Sequence, residues 1–296
     1  MNGLLVVDKP AGITSHDVVN RLRKITGERS IGHLGTLDPM ATGVLPLLLG
    51  KYTRLAQYFS SAEKSYTGAI HFGFATDTWD AEGQPAAPDR WPEIAPNITL
   101  EKLRTAGARF HGEMEQMPPP YSAKKISGQP AYKLAREGKP VELKPAKITI
   151  TSFEIAALSG PEAEFEMQIS AGGYVRSIAH EMGQILGCGA HLSRLRRIQA
   201  GVFTLAEAHT LEELQAATGN IETLENLCIH PRKLLTELPS VSADEQVLGR
   251  LRNGAQANLP EFSTAPLVKV FSGQRDLIAI AKRIAGTLFQ PVVVMG

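Results

Sequence analysis

In GHLGTLDPMATGVLPLLLG, residues 32–50, a single carboxylate, Asp38, stands directly before Pro39, with Gly35 upstream and Gly43 downstream. A proline biases the residue before it toward extended backbone and keeps a helix from forming there. The glycines let the chain turn tightly and pass close to another molecule. An aspartate held in this way can point from a rigid base into a cleft and serve as nucleophile or base. Read alone, Asp-Pro is also an ordinary turn start, and both readings stand at this level. His33 is either a structural ring or a polar group beside a ligand. No second histidine accompanies it at metal-ligand spacing, and His71, His111, His180 and His191 form no zinc-like arrangement, so no metal is expected.

Two further residues have comparable chemistry. Tyr66, in KSYTG, lies in a strand-like run. It is either a core aromatic or a ring that stacks on a base, the commonest use of an exposed aromatic in RNA proteins. In GGYVRS, Gly172 and Gly173 mark a bend, and Arg176 falls where strand becomes helix. There it can pair with Asp38, keep that carboxylate ionised and orient it. The alternative is a surface arginine.

The elements that must position these residues are legible in outline. LLVVDKPAG reads as a buried strand ending in a turn at Asp8, Pro10 and Gly12. SHDVVNRLRKITG follows as a helix, with Ser15 as its cap, Gly27 at its end and Val18, Val19, Leu22 and Ile25 as its apolar stripe. KSYTGAIHFGFATDT alternates as a strand, and ARFHGEMEQMPPPYSA ends a helix-like segment in a proline-rich turn. AYKLAREG reads as a short helix closed by Gly138. KITITSFEIAAL and AEFEMQISAGGYVRSIAHEMGQIL read as two strands, the second turning into a helix, and LEELQAA and HPRKLLTEL as later helical pieces. Beyond LPSVSADEQ the pattern changes to short strands, PLVKVFSG, DLIAIAKRIAG and QPVVVMG. Many strands with scattered helices and no regular alternation argue for an α+β fold. Neither G-x-G-x-x-G nor G-x-x-x-x-G-K-[ST] occurs, which removes the main support for a nucleotide cofactor.

The 296-residue chain is 43% hydrophobic and 21% charged, with a formal net charge of +1, so total charge announces no polyanion partner. Its distribution says more. Residues 120–147 hold Lys124, Lys125, Lys133, Arg136, Lys139, Lys144 and Lys147 against Glu137 and Glu142. Arg194, Arg196 and Arg197 form a second cluster, whereas Asp77, Asp80, Glu82, Asp89 and Glu93 make 77–93 acidic. Such asymmetry suits one phosphate-facing side, and equally a set of solvated faces. Cys188 and Cys228 form no C-x-x-C pair and read as core thiols of a reducing cytosol. MNGLLVVDKPAG lacks the features of a signal peptide, and no run approaches a membrane span, so a soluble, cytoplasmic protein is expected.

Taken together, GHLGTLDPMATGVLPLLLG, VDKPAGITSHDVV, KSYTGAIHFGFATDTWDAEG, PPPYSAKKISGQPAYKLAREG and GGYVRSIAHEMGQILGCGAHLSRLRRIQAGVF resemble the TruB family of bacterial tRNA pseudouridine synthases, which act on U55 of the TΨC arm. The resemblance runs through essentially the whole chain in the family's order. It implies a pseudouridine synthase fold, a mixed, mainly antiparallel sheet with flanking helices and loops, over 1–238. A small, mostly-β PUA-like RNA-binding module would follow over 239–296. It implies Asp38 as the essential aspartate, Tyr66 as the ring stacked on the target base and able to assist proton removal at C5, and Arg176 as the partner of Asp38. Tyr174 and Leu195 would line the uridine pocket, and His33 would sit near extruded nucleotides. The basic insertion at about 120–147 would close over the RNA arm, with Lys124, Lys125, Lys133 and Arg136, joined by Arg196 and Arg197, facing RNA. The implied partner is the TΨC arm of tRNA, with no cofactor and no protein partner; the apolar runs predict no membrane, and a monomer is the default expectation for an oligomeric state left open. GGYVR departs from the GTYIR common in the family, a change expected to be tolerated. An RNA chaperone without chemistry, a synthase of another or guide-selected RNA, and an Asp-dependent glycosidase are the competing readings. The first has no use for Asp38, the basic insertion favours stand-alone action over the second, and the third lacks an evident second carboxylate.

Overall fold

The computed structural model describes residues 1–122, 125–126, 129–130 and 143–295. Its larger sheet uses β1 (Gly3–Lys9), β2 (Ile31–His33), β3 (Thr42–Leu49), β4 (Lys64–Phe72) and β5 (Gly112–Gln116). After a separate hairpin of β6 (Lys125–Ile126) and β7 (Gln129–Pro130) come β8 (Ala146–Ser159), β9 (Glu162–Ile169), β10 (Ala190–Ala200), β11 (Phe203–Thr204) and β12 (Ala208–His209). The order across the sheet is β12-β1-β3-β10-β4-β9-β8-β5, with β2 beside β3 and β11 beside β10. Within it β1 runs parallel to β12 and β3 to β10, and the other pairs are antiparallel. The sheet is therefore mixed and mainly antiparallel.

β1 and β3 read as near-continuous apolar runs because both of their faces are covered. Leu5, Val7, Leu45, Leu47 and Leu49 face one core, while Leu4, Val6, Val44 and Leu48 face another. The first core is closed by α1 (Ser15–Thr26), α3 (Leu100–Gly107) and α4 (Val175–Ile185), with the short α2 (Trp91–Ile94) at its margin. Leu211 and Leu214 of α5 (Leu211–Ala216) and Leu224 of α6 (Ile221–Leu227) complete it.

α1 buries Val18, Val19, Leu22 and Ile25 and ends at Gly27 in the left-handed region (φ 69°), as its spacing predicts. Its cap differs from the expectation. Thr14, not Ser15, accepts the Asp17 amide while the Asp17 carboxylate reaches back, a reciprocal capping box. Ser15 is thereby inside the helix and buried. The helix expected from ARFHGEMEQ stops at Phe110 and becomes β5. HPRKLLTEL holds only a turn at Pro231–Lys233. The AYKLAREG helix lies outside the described residues.

A second sheet begins at Ser240. It comprises β13 (Ser240–Ser242), β14 (Ala257–Asn258), β15 (Leu267–Ser272), β16 (Asp276–Ala285) and β17 (Leu288–Val294), ordered β13-β15-β16-β17-β14. Asp244 caps α7 (Glu245–Arg252), a helix that the glycine-punctuated strand pattern does not reveal. Leu4, Val6, Leu48 and Phe203 of the larger sheet share a core with Phe271, Leu277, Ile280 and Val293 of the smaller one. Among the described residues no helix is long and apolar enough to cross a membrane.

Candidate active site

Asp38 sits on the loop from Leu34 to Ala41 that joins β2 to β3. Gly35 (φ 115°) and Gly43 (φ 102°) bracket it, both in backbone that only glycine adopts freely. At Gly43 a side chain is also excluded by space, because a Cβ would lie 2.1 Å from the Arg197 carbonyl oxygen. Side chains from distant segments hold the loop by its backbone. The Ser15 hydroxyl accepts the Leu37 amide at 2.8 Å and donates to the Leu37 carbonyl at 3.1 Å. Lys9 Nζ donates to Pro39 O at 3.1 Å, and also to Pro10 O and Ile13 O. Arg197 donates to Gly35 O at 3.0 Å, Thr36 O at 3.5 Å and Val44 O at 2.7 Å. Burial pushes the Lys9 ammonium down to about 8, although nearby Asp38 favours its charged form.

The Asp38 carboxylate meets Arg176, the second residue of α4. Nη2 donates to Oδ1 at 2.9 Å, and Nε stands 2.9 Å from Oδ2 in a close ion-pair contact. Arg176 is itself held on all sides. Nη1 donates to Thr78 O at 3.1 Å and lies 3.5 Å from Asp80 Oδ2, while Nη2 also donates to Tyr121 O at 3.0 Å. Asp80 is fixed in turn, accepting Thr78 Oγ1 at 2.6 Å and the Glu82 amide at 3.1 Å. Between Thr78 and Asp80, Trp79 takes a left-handed backbone (φ 65°) and stacks on His180 of α4 at 4.2 Å. The start of α4 lacks a side-chain cap of its own. Gln116 instead binds Tyr174 through both backbone groups, at 2.8 and 3.0 Å, and Ser177 Oγ donates to Met117 O. Burial pushes the Asp38 carboxyl up from the ordinary carboxylate range; Arg176 pulls it back and Asp80 adds to the rise.

A cavity of about 360 Å³ opens above this pair, lined among others by Asp38, Arg176, Tyr66, Tyr174, Leu195 and His33. All six residues singled out for the catalytic centre and uridine pocket therefore converge. Tyr66 of β4 lies opposite Arg197 of β10 and Met167 of β9 in the sheet, so its ring is carried by a central strand. Among the described residues His33 Nδ1 is buried without a hydrogen-bond partner, and burial lowers the pKa of this imidazole, which favours its neutral form. The arrangement offers one oriented carboxylate, the Arg176 cation that pairs with it, and an aromatic wall, with Lys64 and Arg197 also bordering the cavity. Among the described residues no cluster of His, Cys, Asp and Glu could hold a metal ion.

Residues 23–175 match the family model described as TruB family pseudouridylate synthase (N terminal domain), and 176–236 match the tRNA pseudouridylate synthase B C-terminal domain. The chain belongs to the TruB family of pseudouridylate synthases. A curated relative from Solibacter usitatus, named tRNA pseudouridine synthase B, is 43% identical over the full length of both chains. One of the same name from Aquifex aeolicus is 39% identical over 97% of this chain and 98% of its own. Among solved structures, that of an archaeal box H/ACA sRNP Nop10-Cbf5 complex shares the fold. It has a TM-score of 0.67 at 24% identity, covering 99% of this chain and 86% of the other. A Cbf5-Nop10-Gar1 complex gives 0.67 at 27% identity, covering 96% and 79%.

Within this TruB-family chain the cations expected to face RNA have different fates. Lys124, Lys133 and Arg136 lie outside the described residues, and of Lys125 only the backbone, in β6, is described. Arg196 keeps 38% of its side chain exposed and grips Asp8 with two nitrogens, at 2.7 and 3.1 Å. Arg197 is a correction, because it is fully buried and its donors are spent on the carbonyls of Gly35 and Thr36 in the loop and Val44 in β3. Alternation along a strand explains the difference: Arg196 and Arg197 point to opposite faces, and Arg197 shares its face with Leu195. That parity was a usable signal in LRR once Leu195 was taken as pocket-lining. Sequence reasoning missed Lys9, Ser15, Asp80 and Gln116. A lysine ending an apolar strand is a weak hint for Lys9, whereas Asp80 looks like any member of its acidic run.

Proposed function

We propose that this protein isomerises uridine to pseudouridine at position 55 of the TΨC arm of tRNA, with Asp38 as the essential carboxylate. The observation that carries this reading is the Asp38–Arg176 pair at the base of a cavity walled by Tyr66. The reaction breaks the N1–C1′ bond of the uridine, turns the ring and joins C5 to C1′; C5 loses its hydrogen as a proton and N1 takes one up. A carboxylate oriented by a guanidinium can act as nucleophile or base in such a sequence. The position is consistent with relatives named tRNA pseudouridine synthase B. A target base stacked in a folded arm must first be extruded, at a cost of about a few kcal/mol. Stacking on Tyr66 and packing against Tyr174 and Leu195 offset that cost. His33, which lines the cavity and whose neutral form burial favours, suits contact with extruded nucleotides through hydrogen bonds. The basic insertion at 120–147, Arg196 and the module at 239–296 supply contacts to the surrounding phosphates.

Tritium release from a tRNA transcript carrying [5-³H]uridine tests the reading directly. We expect one tritium per tRNA, none with Asp38→Asn and none when U55 is replaced by C. Absence of release from the native protein, with tRNA still bound tightly, would overturn it and favour an RNA chaperone.

A further inference from the structure

Arg197 is among the largest fully buried side chains, with 0% exposure, and among the described residues it makes no ion pair. A guanidinium taken out of water without a counterion is costly unless its donors are satisfied. Here three backbone carbonyls satisfy them. Gly35 and Thr36 lie on the limb of the loop that precedes Asp38, and Val44 lies on the strand that follows it. One planar fork therefore ties the two limbs together behind the carboxylate. The backbone of Arg197 makes a second connection. It pairs with Gly43 of β3 on one side and with Tyr66 of β4 on the other. The absence of a Cβ at Gly43 lets the two chains approach this closely.

We propose that Arg197 is a positioning residue for the reaction: its guanidinium fixes the height and tilt of the Asp38 loop, and its backbone sets that loop against the strand carrying Tyr66. The proposal rests on Asp38 carrying the reaction. It accounts for a fully buried cation that borders the cavity, makes no ion pair among the described residues and directs its donors to backbone carbonyls around the Asp38 loop. Arginine suits the task better than lysine, because carbonyls on two chain limbs need donors diverging from one rigid plane. Uncharged residues of similar size leave the Gly35 and Val44 oxygens without this donor.

The test is single-turnover conversion of tRNA by the native protein, Arg197→Met, Arg197→Lys and Asp38→Asn, with tRNA affinity measured at several salt concentrations. Melting temperatures are recorded and rates are taken well below them. For Arg197→Met we expect the rate at saturating tRNA to fall about 100-fold, the scale of a misplaced reacting group. The affinity and its salt slope should remain unchanged. Arg197→Lys, which keeps the charge but not the fork, should recover part of the rate. A native rate at saturation in either folded variant would overturn the proposal. So would weakened binding with a salt slope reduced by about one, which marks a lost phosphate contact. If Arg197→Met does not fold, the lysine variant decides: a reduced saturating rate with native affinity supports positioning, and a native rate refutes it. An active Asp38→Asn would bring down the catalytic reading itself, whereas an inactive Asp38→Asn beside a fully active Arg197→Met would remove only the positioning role.

Discussion

Arg176 is shared between two carboxylates, and that division controls how Asp38 titrates. Asp80, 3% exposed, places negative charge across the guanidinium from Asp38 and so pushes the Asp38 carboxyl up. Asp80→Asn removes that charge while keeping the side-chain shape. The acidic limb of the pH–rate profile should then move to lower pH. The plateau rate should fall on the order of tenfold, because Arg176 loses one of its anchors and the loss of about 1.4 kcal/mol corresponds to that factor. Arg176→Met should act with the opposite sign on pH. Without the cation, Asp38 keeps its proton to higher pH and the same limb moves up. Initial rates between pH 4 and about 8 for both variants check the pair of signs. A shift of both limbs in the same direction would contradict the shared-arginine geometry.

At the scale of elements, the approach of β10 to the Asp38 loop depends on glycine at one position. Gly43→Ala would force a Cβ to within 2.1 Å of the Arg197 carbonyl in backbone with φ 102°. That combination of clash and strain should cost about 3 kcal/mol or more. Gly12 has a similarly left-handed backbone (φ 81°) but nothing within 4 Å of a built Cβ. Gly12→Ala should therefore cost only about 1 kcal/mol, the conformational penalty alone. Urea midpoints for the two variants, at equal m-values, separate steric crowding from backbone preference. Similar losses in both would mean that β3 and β10 can part without harm.

For the whole molecule, the two sheets share one apolar core. Phe271 is fully buried among residues of both sheets, and the Arg232 guanidinium lies 4.4 Å above its ring. Lys269 reinforces the junction by donating to Arg232 O and Leu234 O in the connecting segment. Phe271→Ala should destabilise the protein by about 3–5 kcal/mol. The native protein should melt in a single calorimetric transition, because neither sheet can expose that core alone. Two transitions, of which Phe271→Ala moves only one, would show instead that the second sheet folds independently.

The sequence by itself determined the local devices of this protein. The helical stripe of Val18, Val19, Leu22 and Ile25, the stop at Gly27 and the bracketed Asp38-Pro39 turn are encoded by neighbours within a few residues. Such signals survive in one dimension because periodicity and backbone preference are local. Family resemblance added the names of residues that should meet. Tertiary structure decided which charges go inside. Arg196 and Arg197 are adjacent in the chain, yet one remains half exposed on Asp8 and the other is buried on carbonyls more than 150 positions away. Whether Asp80 is a solvated acid or the second anchor of Arg176, and whether Ser15 caps a helix or holds Leu37, was likewise settled by long-range neighbours. The cost of burying a polar group depends on the partners that meet it, and the folded chain alone supplies them.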